Sequence, residues 1–258
     1  ARLREVLPPH VRLLAEKIET EEEFHQAMED GYVLFQGYFF CKPVVLYKQR
    51  LTNNELSRIR LLKEVNRPNF DFNAITDVIA ADTSLVHKLL TYINSVGIGL
   101  SHYVSNLRQA AVLLGASGIR SWVTLISLQT FSEDKPSELF TLSLLRAKFC
   151  ELIARRLNRR DLTPDTGFLL GMFSLIDVLL NQPMAEVLKE ITLADELNAA
   201  LLGEDNDLRR LLDLVISYEQ GDWSSVAACC EHEHIPLGEI SPIYDEVLEW
   251  YNKLQTVC

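Results

Sequence analysis

The stretch NLRQAAVLLGASGIRSWVTLISLQTF, residues 106–131, decides the fold. Asn106 is a residue type whose side chain accepts from free backbone amides at a helix start, and Leu107, Ala110, Ala111 and Leu114 follow at helical spacing. Gly115 then supplies the left-handed residue that closes a helix. From Ile119 to Phe131 the chain is apolar almost all round, the mark of a helix surrounded by other helices. A central helix of this kind needs helical neighbours, and the flanking sequence supplies them.

Upstream, Asn54 is read as the cap of a segment through Leu56, Ile59, Leu62 and Val65. Asp71 caps Ile75, Val78 and Ile79, and Asp82 caps Leu85, Leu89, Leu90 and Ile93, both at i, i+3, i+4 spacing. Downstream, helices are expected over 139–157, 164–180, 184–191, 208–218, 223–230 and 243–254. There is no internal repeat, low-complexity segment or long linker.

The first fifty residues differ. Residues 11–15 form a short apolar run suited to a buried strand. Thr20 with Glu21, Glu22 and Glu23 opens a helix ending before Gly31, and residues 32–40 are aromatic and β-branched enough for a second strand. Strand, helix, strand belongs to a parallel α/β sheet, which needs further strands. The expected fold class is therefore mainly α: a helical domain over 51–258 preceded by a small α/β segment over 1–50.

The chain of 258 residues carries a net charge of −11, which repels phosphate backbones and anionic headgroups, so neither nucleic acid nor a membrane is an expected partner. Arg155, Arg156, Arg159 and Arg160 are read as complementing a helix C-terminus while staying solvated. The five cysteines, Cys41, Cys150, Cys229, Cys230 and Cys258, contain no C-x-x-C pair, which suits a reducing cytosol. The N-terminus has no signal-peptide core, and the expected location is cytoplasmic. Ala1 is not an initiator methionine, which leaves room upstream for an intact further domain, a receiver domain among them.

Two short motifs carry a resemblance. Asp82-Thr83-Ser84-Leu85, Lys88-Leu89-Leu90 and Asn94-Ser95 are similar to a "D-P-x-L, K-L-L, N-S" signature, with Thr83 in place of its proline. Arg108 to Gly115, with Ala111 and Leu114, then Ile119-Arg120 match an "A-x-x-x-L-G, L-R" signature. From Pro68 onward the chain thus resembles the HDOD family, a catalytically silent relative of the HD phosphohydrolases. Tyr218 to Trp223 looks like the continuation seen when HDOD follows an EAL domain. On physical grounds alone, Asn94 and Ser95 are read as satisfying backbone groups at a helix end, and Gly115 as a conformational requirement.

Ala15-Glu16-Lys17-Ile18-Glu19-Thr20 is similar to the EAL family's "A-E-G-V-E-T", and Phe35 to Pro43 to its "Q-G-Y-x-F-x-x-P". EAL domains are phosphodiesterases of cyclic diguanylate, and the resemblance places Glu19 and Gln36 at vestigial active-site positions. Two residues cannot assemble the several carboxylates that metal-assisted phosphodiester hydrolysis requires.

HD-type hydrolysis needs an adjacent His-Asp pair on a helix, and the resemblance places Ser174 and Leu175 at those metal-holding positions. Leucine cannot coordinate a cation. Asp177, one turn beyond Ser174, is read as a cap or ion-pair partner. His232-Glu233-His234 is read as a solvated loop, Cys229 and Cys230 as structural cysteines, and His87 as partly buried or at the surface.

The expectation is a non-enzymatic module of bacterial signal transduction that binds a partner protein or small ligand. No catalytic residue, metal or cofactor is expected. A homodimer through the N-terminal segment is expected as well, with Phe35, Tyr38, Phe39 and Phe40 offering an apolar face that packs on the helical domain or on another chain. The alternatives are a metal-dependent phosphohydrolase acting on cyclic diguanylate or another phosphate ester, and a non-catalytic cyclic-dinucleotide receptor.

Overall fold

Thr20 accepts from the Glu23 amide while the Glu23 carboxylate accepts from the Thr20 amide, and this reciprocal cap starts helix α1 (Glu21–Glu29). The helix connects strands β1 (Leu14–Ala15) and β2 (Leu34–Phe35), which pair in parallel with Leu14 opposite Leu34 and Ala15 opposite Phe35. Side chains alternate across the pair: Ala15 and Phe35 turn toward α1, while Leu14 and Leu34 are each 43% exposed. The computed structural model describes residues 11–18, 20–37, 51–67, 70–95, 103–132, 135 and 137–255. Glu19, Tyr38, Phe39, Phe40, Cys41 and Cys258 lie outside them, as do the side chains of Glu21, Asn53 and Ser95.

Beyond the β-α-β unit the described chain is helical, and the mainly α class is what the structure has. The helices are α2 (Asn53–Val65), α3 (Phe72–Ala80), α4 (Thr83–Ser95), α5 (Leu107–Phe131), α6 (Ser137–Leu157), α7 (Pro164–Phe173) and α8 (Ile176–Leu180). They continue as α9 (Met184–Glu190), α10 (Asp195–Leu201), α11 (Asp207–Gln220), α12 (Trp223–Glu233) and α13 (Ile240–Gln255).

Asp71, Asp82 and Asn106 cap as read from sequence, each accepting from amides of the first turn. The cap of α2 is a correction. Thr52, rather than Asn54, accepts from Glu55 N, and Glu55 answers at Thr52 N, because a capping box satisfies two free amides where Asn54 offers one.

The region 164–180 is also corrected: one expected helix is two, broken at Ser174 and Leu175. α10 had no counterpart in the sequence reading. Its seven residues start without a side-chain cap, so neither period nor punctuation marks them.

α5 sits at the centre, with Ile119, Trp122, Val123 and Leu128 at most 1% exposed. It is long and apolar enough to cross a membrane, but half of that apolar window is buried against other helices, as in the core helix of a bundle. Gly115 interrupts it at φ 64°, ψ −174°, a conformation open essentially to glycine alone. α6 and α7 pack most closely of all. A Cβ on Gly171 would stand 2.4 Å from the Arg146 carbonyl oxygen, so glycine there lets two helix backbones touch.

Candidate functional site

The α6–α7 contact at Gly171 brings Arg146 of α6 beside the end of α7. Arg146 is 7% exposed. Its Nε donates to both oxygens of the Glu219 carboxylate on α11, at 3.1 and 2.9 Å, and Nη2 lies 2.9 Å from Oε2. Its Nη1 reaches the Ser174 hydroxyl at 3.4 Å, which itself donates to the Gly171 carbonyl at 2.7 Å. Leu175 is 5% exposed and starts α8 with no side-chain cap.

Burial pushes the Glu219 carboxyl above its ordinary value, although Arg146 pulls the other way. Burial likewise raises Asp177 in the first turn of α8, against backbone amides at Val178 and Asp177 and the field of Arg146. The Cys150 thiol, one turn along α6, is pushed well up by burial and then by Glu219, so it is a protonated thiol and a poor nucleophile. Among the described residues no three His, Cys, Asp or Glu side chains converge as metal ligands. The cluster is built for a satisfied buried ion pair.

Among the described residues the signature positions act as a frame. Asp82 caps α4, and its Oδ2 lies 4.0 Å from Arg58 of α2. Leu85 and Ala111 are 2% and 1% exposed, and Leu114 is half-buried against the same core. Lys88 donates to Gln129 at 3.2 Å, joining α4 to α5. Asn94 holds Val104, and Ser95 ends α4 with its side chain outside the described residues. Arg120 donates from Nε to the Val65 carbonyl at 3.0 Å and covers the Phe70 ring at 5.4 Å. The Lys88 and Arg120 ties were missed from sequence because their partners stand tens of residues away.

Gln36 is exposed; its backbone N–H donates to Ala15 O at 2.7 Å and its backbone carbonyl accepts from Ile18 N at 3.0 Å. Glu19 lies outside the described residues. The cleft over α1 is walled by Glu16, Glu22, Glu23 and Asp30, which disfavours a bare phosphodiester. The Phe35 ring packs edge-on against Phe24 at 4.8 Å and also faces a cleft whose other wall is Leu139, Leu142 and Leu145 of α6.

Two surface readings are corrected. Residues 232–233 end α12 and His234 is its left-handed C-cap at φ 57°, so the triplet is a helix end and not a solvated loop. Glu233 is inward, its side chain 7% exposed, and takes Arg159 Nη1 at 3.2 Å and Arg210 Nε at 3.4 Å. Arg159 also meets Asp161 and Asp207, while Arg155 pairs with Glu151 and Arg156 lies 3.7 Å from Glu239. With its side chain largely removed from water, Glu233 has its charge matched by arginine, so Arg159 is not merely solvated. His87 is exposed, Cys230 buried and Cys229 half-buried, with both thiols raised by burial.

A family model described as the HDOD domain matches residues 56–205. The chain belongs to the HDOD family. Arg146 and Ser174 lie inside the HDOD match, and Glu219 lies beyond it. YuxH of Bacillus subtilis (strain 168) is 38% identical over 245 residues, covering 93% of this chain and 59% of that protein. A Vibrio cholerae protein named cyclic di-GMP phosphodiesterase CdgJ is 36% identical over 239 residues, covering 93% of this chain and 55% of its own length. This HDOD chain therefore spans a little over half the length of the curated relatives it matches. No solved structure matches it.

Proposed function

We propose that the chain is a non-enzymatic regulatory module of bacterial signal transduction, in which the HDOD bundle binds a partner protein or small ligand within cyclic diguanylate signalling. The observation that carries the reading is the Arg146–Glu219 pair beside Ser174 and Leu175: where a metal-dependent relative would present ligands, this chain presents a cation already matched by its own carboxylate. The cyclic diguanylate context rests on the name of the Vibrio cholerae relative.

On this reading residues 1–50 are the remnant of an EAL domain and 51–258 the HDOD module, both cytoplasmic. The parallel strand-helix-strand geometry and the motif positions Glu19 and Gln36 support the remnant. Leu14 and Leu34, exposed side by side on the outer face of the pair, suit a second copy of the chain.

Calorimetric titration with cyclic diguanylate in Mn2+ buffer, followed by chromatography of the mixture, tests the reading. It expects no linear dinucleotide product. Product formation would establish the phosphodiesterase alternative that the relative's name favours, and saturable heat without product would make the chain a receptor for the dinucleotide.

A further inference from the structure

Arg146 and Glu219 take two full charges out of water, at a desolvation cost that an apolar pair of the same shape would not carry. Their geometry says what they do. The guanidinium is planar and many-handed, with Nε and Nη2 turned to Glu219 of α11 and Nη1 to Ser174 at the α7–α8 break. One cation thereby contacts groups from two other places in the chain, as a coordinated ion does.

The balancing carboxylate comes from outside the HDOD match, and it is not alone. α6 also reaches the C-terminal helices through Thr141 Oγ1 and Tyr251 Oη at 2.8 Å and Lys148 over the Trp250 ring at 5.4 Å, and just past its end Arg159 meets Glu233 at 3.2 Å. Arg146 is the most buried cation of this polar seam.

We propose that the Arg146 guanidinium is a resident cation that takes the place of a divalent ion at this helix crossing, drawing α11 onto α6 and the α7–α8 break through Glu219 and Ser174. A second cation cannot share the position, because like charges a few ångströms apart repel strongly where water is scarce. The proposal rests on the non-catalytic reading above. Its test reads metal uptake and stability rather than turnover, so either can fail without the other.

Two chains are compared, one carrying Ser174→His with Leu175→Asp, the other carrying the same pair plus Arg146→Ala. Each is equilibrated with Mn2+ and the bound metal counted by mass spectrometry. With Arg146 kept, no stoichiometric Mn2+ is expected; without it, about one ion per chain is expected from the ligand count of such sites, with a melting midpoint that rises with Mn2+. Equal uptake by both, or none by either, overturns the proposal.

A second measurement avoids redesigned chains. Arg146→Met is expected to lower the midpoint by about 10 °C, since it strands a buried carboxylate. Adding Glu219→Gln to it should cost far less than Glu219→Gln costs alone. An unchanged midpoint in the single variant, or additive losses in the pair, contradicts the resident cation.

Discussion

Asn94 holds Val104 as a neighbouring strand would: Nδ2 donates to the Val104 carbonyl at 2.8 Å, and Oδ1 accepts from the Val104 amide at 2.8 Å. The same Nδ2 reaches the Leu90 carbonyl at 2.7 Å, one turn back on α4. A signature asparagine thus ties the end of α4 to the chain entering α5, with Val104 itself 1% exposed.

Asn94→Ala leaves the Val104 amide and carbonyl without these bonds and is expected to cost about 2–3 kcal/mol in urea unfolding. Native-state hydrogen exchange should accelerate at the Val104 amide more than at core amides of α6. Uniform acceleration would mean that Asn94 supports global packing only.

Two glycines separate conformation from space. At Gly115 nothing lies within 4 Å of an added Cβ, so Gly115→Ala meets only the backbone cost, about 1–3 kcal/mol. At Gly171 the added carbon meets the α6 backbone at 2.4 Å, so Gly171→Ala must part the helices and is expected to cost more than Gly115→Ala. Denaturant midpoints give the order, and the reverse order would place the tight contact elsewhere.

The helices of this bundle are legible because their information is local. Asp71, Asp82 and Asn106 announce starts, and the apolar period of α3 and α4 names Ile75, Ile79, Leu85, Leu89 and Ile93, which are buried, and also Val78, which is 50% exposed. The break at Ser174 was not legible. Pro164 to Leu180 reads as continuous apolar sequence, and what ends α7 there includes a hydroxyl turned back to Gly171 and an arginine from another helix. The centre of the site was hidden for the same reason. Arg146 and Glu219 are 73 residues apart, and nothing in the spacing of either announces the other.

Asp177 gives a pH signature. Its pKa is raised above the ordinary 3.8 mainly by burial, so its stabilising contribution is complete below the unfolded value and is lost as pH rises through the folded one. Asp177→Asn should therefore gain on the unmodified chain in melting midpoint as pH rises from about 4 toward 7. A gap that stays constant across that range would show that the carboxyl ionises as freely folded as unfolded.

Asp222 behaves oppositely. It caps α12 through the Ser225 amide at 3.2 Å and takes the Ser224 and Ser225 hydroxyls at 2.6 Å each, and these bonds hold its pKa down to about 2. Its contribution is present above the ordinary 3.8 and is lost as pH falls toward the folded value. Asp222→Ala should melt lower than the unmodified chain at neutral pH, with the gap closing on acidification. A gap that widens on acidification would contradict the cap.

The account turns on whether the crossing of α6, α7 and α11 holds a resident cation or receives one. Electron paramagnetic resonance of Mn2+ titrated into the unmodified chain counts free ion directly. The account predicts that the hexa-aqua signal grows in full proportion to added Mn2+. A saturable loss of about one equivalent of that signal per chain, abolished by Asp177→Asn, would contradict it.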